Sequence, residues 1–147
     1  MSPIKRKANA LWKGDLQSGK GHVSSQSKVL DQTLYSFTNR FEQKEESQTN
    51  PEELITSALA SCFCMALSKT LGDKGYEPDE LYAEATISLN IDDGPQLTEM
   101  HLLVTGKVKG IETEDFRLAV EETTQGCPVF KMVAPGLENI SVDSRLG

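Results

Sequence analysis

The sequence predicts an α+β fold built on antiparallel sheet, and three observations lead there. Strand-like and helix-like segments fall in separate runs instead of alternating, which disfavours the strand–helix–strand order of a parallel sheet. Two long alternating segments, 82–92 and 97–109, are joined by the turn Asp92-Asp93-Gly94-Pro95, and a tight turn between strands makes an antiparallel pair. Between the strand runs lies a long helical stretch with apolar residues on nearly every face, the pattern of a helix buried in the middle of a fold. The 147 residues fit one domain, 1–147, long enough to bury about 70% of its unfolded surface.

Residues 4–13 mix apolar and polar side chains, as in a partly exposed strand. Gly14-Asp15 and Gly19-Lys20-Gly21 flank a short connection that reads as a hairpin. Residues 21–27 and 34–42 read as further strands. Residues 41–49 read as an exposed polar loop, with Glu42, Glu45 and Glu46 solvated. Asn50 then suits a helix N-cap, Pro51 the first helical position, and Glu52 and Glu53 the positive end of the dipole. Glu53, three residues after Asn50, completes a capping-box-like arrangement. The helix is expected to stop near Leu71-Gly72. Its apolar length falls short of a membrane span.

In the strand 82–92, Ala83, Ala85, Ile87, Leu89 and Ile91 face one way. Thr113 reads as the N-cap of a helix with Phe116, Leu118, Ala119 and Val120 at apolar positions, ended by Gly126. Pro128 opens a short helix broken by Pro135-Gly136. A last strand, 139–146, points Ile140 and Val142 one way.

Composition excludes several classes of function. With 15 basic and 22 acidic residues the net charge is −7, which argues against nucleic-acid or anionic-membrane binding. The basic start Lys5-Arg6-Lys7 is not followed by the apolar stretch of a signal peptide. Three cysteines do not make a disulfide framework. The expectation is a cytoplasmic protein with reduced thiols. There is no CxxC and no HxxxH, and His22 and His101 stand isolated on strands, so no metal is expected. Gly19-Lys20-Gly21 sits in a hairpin, not in a strand-to-helix turn, and does not read as a phosphate loop. Trp12, Tyr35, Phe37 and Phe41 read as sheet packing.

From the residues alone, Cys62 reads as a buried structural cysteine in an apolar helix. Cys64 is about 200° further round that helix and is read as structural too. Cys127 is more suggestive. It directly precedes Pro128, so its sulfur is expected near a helix N-terminus, which lowers a thiol pKa. A plain gap-filling role is as well supported.

The segment Thr49-Asn50-Pro51-Glu52-Glu53-Leu54-Ile55, with Ala60-Ser61-Cys62-Phe63-Cys64-Met65-Ala66-Leu67-Ser68, resembles the OsmC/Ohr family of osmotically inducible and organic-hydroperoxide-resistance proteins. So does Gly126-Cys127-Pro128-Val129. Phe37-Thr38-Asn39-Arg40-Phe41-Glu42 resembles the arginine strand of the OsmC branch, as does the opening Trp12-Lys13-Gly14-Asp15. The resemblance implies an intertwined homodimer, with antiparallel sheets around a buried central helix and two active sites at the interface. It implies reduction of organic hydroperoxides by a cysteine pair. Cys62 would be peroxidatic, Cys127 resolving, Arg40 the activating arginine and Glu52 the carboxylate that holds it. A dithiol reductant, such as a lipoyl dithiol, is implied, with no cofactor and no metal. Two departures stand out: Cys64 and Phe130 occupy positions where the OsmC branch has Ser.

These roles make physical sense. A peroxide needs a thiolate, and an ordinary thiol is mostly protonated at neutral pH. Arg stays charged and donates in a fork to thiolate and peroxide oxygens. Attack releases an alcohol and leaves a sulfenic acid, which a second thiol closes to a disulfide. Glu52 lies ten residues before Cys62, about 15 Å along a helix, so a site using both is expected to draw on two subunits. Two rival functions remain at this level. One is a non-catalytic, stress-related small-molecule-binding dimer on the same fold. The other is a thiol hydrolase using Cys62 and His101.

Overall fold

The computed structural model of the protein describes residues 2–42 and 47–147. The reading of Glu45 and Glu46 as a solvated loop lies outside the described residues. The chain divides into two compact units, Met1–Leu54 and Ile55–Gly147.

The first unit holds an antiparallel three-stranded sheet of order β1 (Ala8–Lys13), β2 (Lys20–Ser25), β3 (Thr33–Tyr35). The predicted hairpin forms. Asp15 accepts bonds from the backbone N–H and hydroxyl of Ser18, both at 2.7 Å, and Gly14 takes a left-handed φ of +101°. Gly21 has a packing reason: a Cβ there would lie 2.5 Å from the Tyr35 ring and 2.8 Å from Trp12. The bare backbone lets those rings approach to 5.5 Å between centroids.

The strand expected over 34–42 ends at Tyr35. Residues Phe37–Glu42 form a short helix, α1, instead. Ser36 is the cause. Its Oγ accepts the N–H of Asn39 at 3.2 Å and its carbonyl accepts the N–H of Arg40 at 3.0 Å, a capped first turn that competes with strand continuation.

Helix α2 runs Pro51–Asp73. Asn50 caps it as predicted, its Oδ1 accepting the Glu53 N–H at 2.7 Å. Glu53 accepts a bond from the Thr49 hydroxyl at 2.9 Å. The helix continues through Gly72. It is closed by Gly75 at φ +89°, with the Tyr76 N–H bonded back to the Leu71 carbonyl at 2.9 Å.

The second unit holds the sheet β4 (Pro78–Asn90), β5 (Gln96–Val108), β6 (Asn139–Leu146). β4 and β5 pair antiparallel, as predicted. β6 pairs with β5 in parallel, which corrects the expectation of a purely antiparallel sheet. The chain leaves β5 and returns through α3 (Thr113–Gly126), α4 (Pro128–Val133) and a 3₁₀ turn (Ala134–Gly136). A crossover of that length resets strand direction. Glu112, not Thr113, occupies the N-cap of α3, with no side-chain cap bond. Leu118 and Ile91 face outward, while the other predicted apolar positions of their elements face in.

The core joins Leu59, Phe63, Leu67 and Leu71 of α2 to Met100, Leu102 and Val104 of β5 and to Phe116, Ala119 and Val120 of α3. A buried residue every fourth position makes a single stripe. The all-round burial expected of α2 is therefore not seen in one chain: Met65 is 78% exposed. The helix is also, by length and composition alone, long and apolar enough to cross a membrane. That corrects the reading from its apolar run, although its leucine and phenylalanine stripe lies in the protein core.

Gly106 of β5 permits the closest core contact: a Cβ there would lie 2.5 Å from the ring of Phe116, itself 1% exposed. Gly106→Ala is expected to destabilise by about 1–3 kcal/mol through overpacking, read as a lower urea midpoint. An unshifted midpoint would show that the ring yields freely.

Candidate active site

Two constellations of reactive side chains emerge, one in each unit. In the first, α1 presents Arg40 and the first turn of α2 presents Glu52. Arg40 Nε donates to Glu52 Oε1 at 3.1 Å and Oε2 at 3.2 Å, and Nη2 donates to Oε1 at 2.7 Å. None of these bonds uses Nη1. The side chains are 35% and 13% exposed, so the pair is sheltered but open on the arginine side. Such a fork fixes the guanidinium plane as well as its position. The guanidinium carbon also sits 5.4 Å from the centroid of the Phe41 ring.

Beside it lies an apolar cavity of about 250 Å³ lined by Trp12, Leu16, Tyr35, Phe37, Arg40 and Phe41. These aromatics, read from the sequence as sheet packing, form a cradle at the arginine. The missed signal is the spacing of Phe37 and Phe41 around Arg40: four residues apart, they stack on one face of α1 with centroids 4.8 Å apart.

In the second unit, Cys62 on α2 and Cys127 at the α3–α4 junction bring their sulfurs to 3.4 Å. All three cysteines are free thiols. Cys127 is fully buried and Cys62 half-buried. Backbone bonding fixes the junction: the Cys127 N–H donates to the Thr123 carbonyl at 2.9 Å, and its carbonyl accepts the Lys131 N–H at 3.0 Å. One turn before Cys127, the Thr123 and Thr70 hydroxyls lie 3.0 Å apart and tie α3 to α2.

Burial pushes the Cys127 thiol up, more than the N–H groups of Phe130 and Val129 pull it down; nearby Cys62 adds to the rise. The lowered pKa expected from the helix start is thus overridden by desolvation. A raised pKa keeps the thiol protonated at neutral pH, and the thiolate is the nucleophile. Any step in which Cys127 attacks is therefore expected to accelerate as pH rises from 7 to 9, by up to about tenfold per unit. Rapid alkylation quenching measures it; a flat profile would contradict it.

Cys64 points elsewhere, its sulfur 3.8 Å from the Leu81 carbonyl, and burial raises its pKa. His101 lies on the outward face of β5, between the inward Met100 and Leu102. Its Nδ1 is 2.7 Å from Ser141 Oγ and its Nε2 is 3.3 Å from Asp143. Cys62 packs against the core on the inner face, so the Cys62–His101 pair required of a thiol hydrolase is not formed. Among the described residues no group of three or more His, Cys, Asp or Glu could hold a metal.

Fold and site together define an α+β protein with a dithiol in contact at a helix junction and a separately built arginine–carboxylate fork. The family model for OsmC-like proteins matches residues 44–140. The sequence is 42% identical over 131 residues, 88% of this chain and 90% of the relative, to Peroxiredoxin OsmC of Escherichia coli (strain K12). It is 27% identical over 124 residues, 80% of this chain and 82% of the relative, to Organic hydroperoxide resistance protein-like 1 of Staphylococcus saprophyticus. The chain belongs to the OsmC family. Solved structures agree on the fold. An organic hydroperoxide resistance protein OsmC from Legionella pneumophila superposes with a TM-score of 0.72 at 20% identity, over 97% of this chain and 99% of that one. OhrB of Bacillus subtilis gives 0.67 at 23% identity, over 96% and 98%.

Proposed function

We propose that this protein is a thiol-dependent peroxidase that reduces organic hydroperoxides to alcohols, with Cys62 peroxidatic and Cys127 resolving. The observation that carries it is the 3.4 Å contact of a half-buried with a fully buried free thiol. The Cys62 thiolate attacks the terminal peroxide oxygen. The O–O bond breaks, the alkoxide takes a proton and leaves as alcohol, and Cys62 becomes a sulfenic acid. Cys127 then attacks that sulfur, expelling water and forming a disulfide. An external dithiol, a lipoyl group in our reading, exchanges the disulfide back to two thiols.

Arg40, held by Glu52, supplies the fixed cation for the thiolate and the developing alkoxide. The aromatic cradle beside it takes the organic portion of the substrate, with each buried methylene favouring binding by about 0.8 kcal/mol. We assign the pairing of the two constellations to a homodimer. Glu52 and Cys62 are ten residues apart on α2, about 15 Å of helix rise, so one subunit offers Arg40 and Glu52 to the cysteines of the other. The exposed apolar side chains of α2, Met65 among them, suit burial by a second copy. We take residues 1–147 as one working domain and place the chemistry in the cytoplasm, where dithiols are kept reduced.

The test is consumption of cumene hydroperoxide by the purified protein with dihydrolipoamide, beside hydrogen peroxide. Turnover is expected, with the organic peroxide preferred. No turnover with any dithiol would turn the reading toward a binding protein on this fold.

A further inference from the structure

We infer that Phe130 is a positioning residue: its ring, packed on Phe63, holds Cys127 against Cys62 and so sets the rate at which oxidised Cys62 is resolved. The inference rests on the two-cysteine reading above and concerns only its second step. Phe63 directly follows Cys62 on α2 and is fully buried. Phe130 stands three residues after Cys127, within the six-residue helix α4 that Cys127 caps. The two rings lie 6.2 Å apart between centroids at 49°, the tilted geometry of an attractive aromatic pair. Each ring is thus anchored next to one of the two sulfurs, and the contact joins the backbones that carry them.

The sulfurs are in van der Waals contact at 3.4 Å, whereas a disulfide needs about 2.05 Å. Resolution therefore requires a further approach, and α4 is the element that can deliver it. None of its residues is fully buried. Phe130 also lines a cavity of about 510 Å³ with Val120, Ile140 and Val142, so dense packing does not hold α4 from that side. Val129 and Val133 of α4 also rest against the core, but the Phe63–Phe130 pair is the ring contact that ties α4 to the residue next to Cys62. When Cys127 attacks the Cys62 sulfenic acid, water leaves and the S–S bond forms. If α4 drifts first, a second hydroperoxide takes the sulfenic acid to sulfinic acid, releasing another alcohol.

Phe130→Ala and Phe130→Leu test this in the full chain. Quenched-flow thiol labelling follows loss of the Cys62 thiol and appearance of the Cys62–Cys127 disulfide separately. For Phe130→Ala the first step is expected within about twofold of wild type and the second about tenfold slower, with sulfinic acid accumulating at excess cumene hydroperoxide. The disulfide potential should rise by about 30 mV, the equivalent of a tenfold loss of effective concentration. Phe130→Leu, which keeps apolar bulk, should recover part of the loss and carries the test if the alanine variant does not fold. Wild-type resolution in a folded Phe130 variant, or equal slowing of both steps, would overturn the inference while leaving the two-cysteine mechanism standing. Failure of the wild type itself to form the Cys62–Cys127 disulfide would overturn both.

Discussion

Cys62→Ser is expected to abolish hydroperoxide turnover, a loss of at least about 10³-fold, because the proposed reaction begins with attack by the Cys62 thiolate. A serine hydroxyl is far less nucleophilic than a thiolate and cannot form the sulfenic acid that the second step consumes. Cys64 is not a substitute. It lies about 200° round α2 from Cys62, its sulfur faces the Leu81 carbonyl, and burial holds it protonated. Cys127→Ser should behave differently. The first equivalent of peroxide is still reduced, since Cys62 is intact, but the sulfenic acid then has no partner 3.4 Å away. Single-turnover reduction followed by sulfinic acid is the expected signature, read by intact mass. A Cys62→Ser variant that turns over at a tenth of the wild-type rate or better would remove Cys62 from the mechanism.

The second large effect belongs to Arg40. Arg40→Ala removes the side chain forked onto Glu52 and, in the shared site proposed above, leaves that carboxylate, 13% exposed, to repel the thiolate instead of holding its cation. Losing one such preorganised donor costs about 10²–10³ in rate. Arg40→Lys keeps the charge but not the fork over Oε1 and Oε2, and should fall between. The stability change should be smaller than the rate change, because the arginine side is a third exposed and screened by water. A shared site adds a sharper outcome. Co-expressed Arg40→Ala and Cys62→Ser chains would pair at random, and half the dimers would then carry one intact site of two. Activity should return to about a quarter of wild type, although each variant alone is inactive. A mixture as inactive as its parts would show that each chain builds its site alone.

Much of this was legible in the sequence, for local reasons. Asn50 and Pro51 announce the start of α2 because a cap and a ring-fixed φ act within one turn. The β4–β5 hairpin follows from alternation and an Asp-Gly turn. What escaped depended on competition or distance. Ser36 turned the segment after β3 into a helix, since one hydroxyl accepting the Asn39 N–H outweighed weak strand alternation. β6 joined β5 in parallel because the intervening helices, not the strand itself, decide its direction. The Cys127 pKa was misjudged because spacing shows the nearby N–H groups but not the depth of burial. Nor could spacing show that residues 62 and 127 meet, or that Trp12 and Tyr35 join Phe37 and Phe41 in the cradle at Arg40.

The most direct measurement is mass spectrometry of the fully reduced wild-type protein after one equivalent of cumene hydroperoxide, with free thiols alkylated before digestion. The expected result is an intact mass lower by two hydrogens, a single cross-linked peptide pair joining Cys62 to Cys127, and Cys64 alkylated. A disulfide through Cys64, or a protein that leaves the peroxide unreduced and all three thiols free, would contradict it.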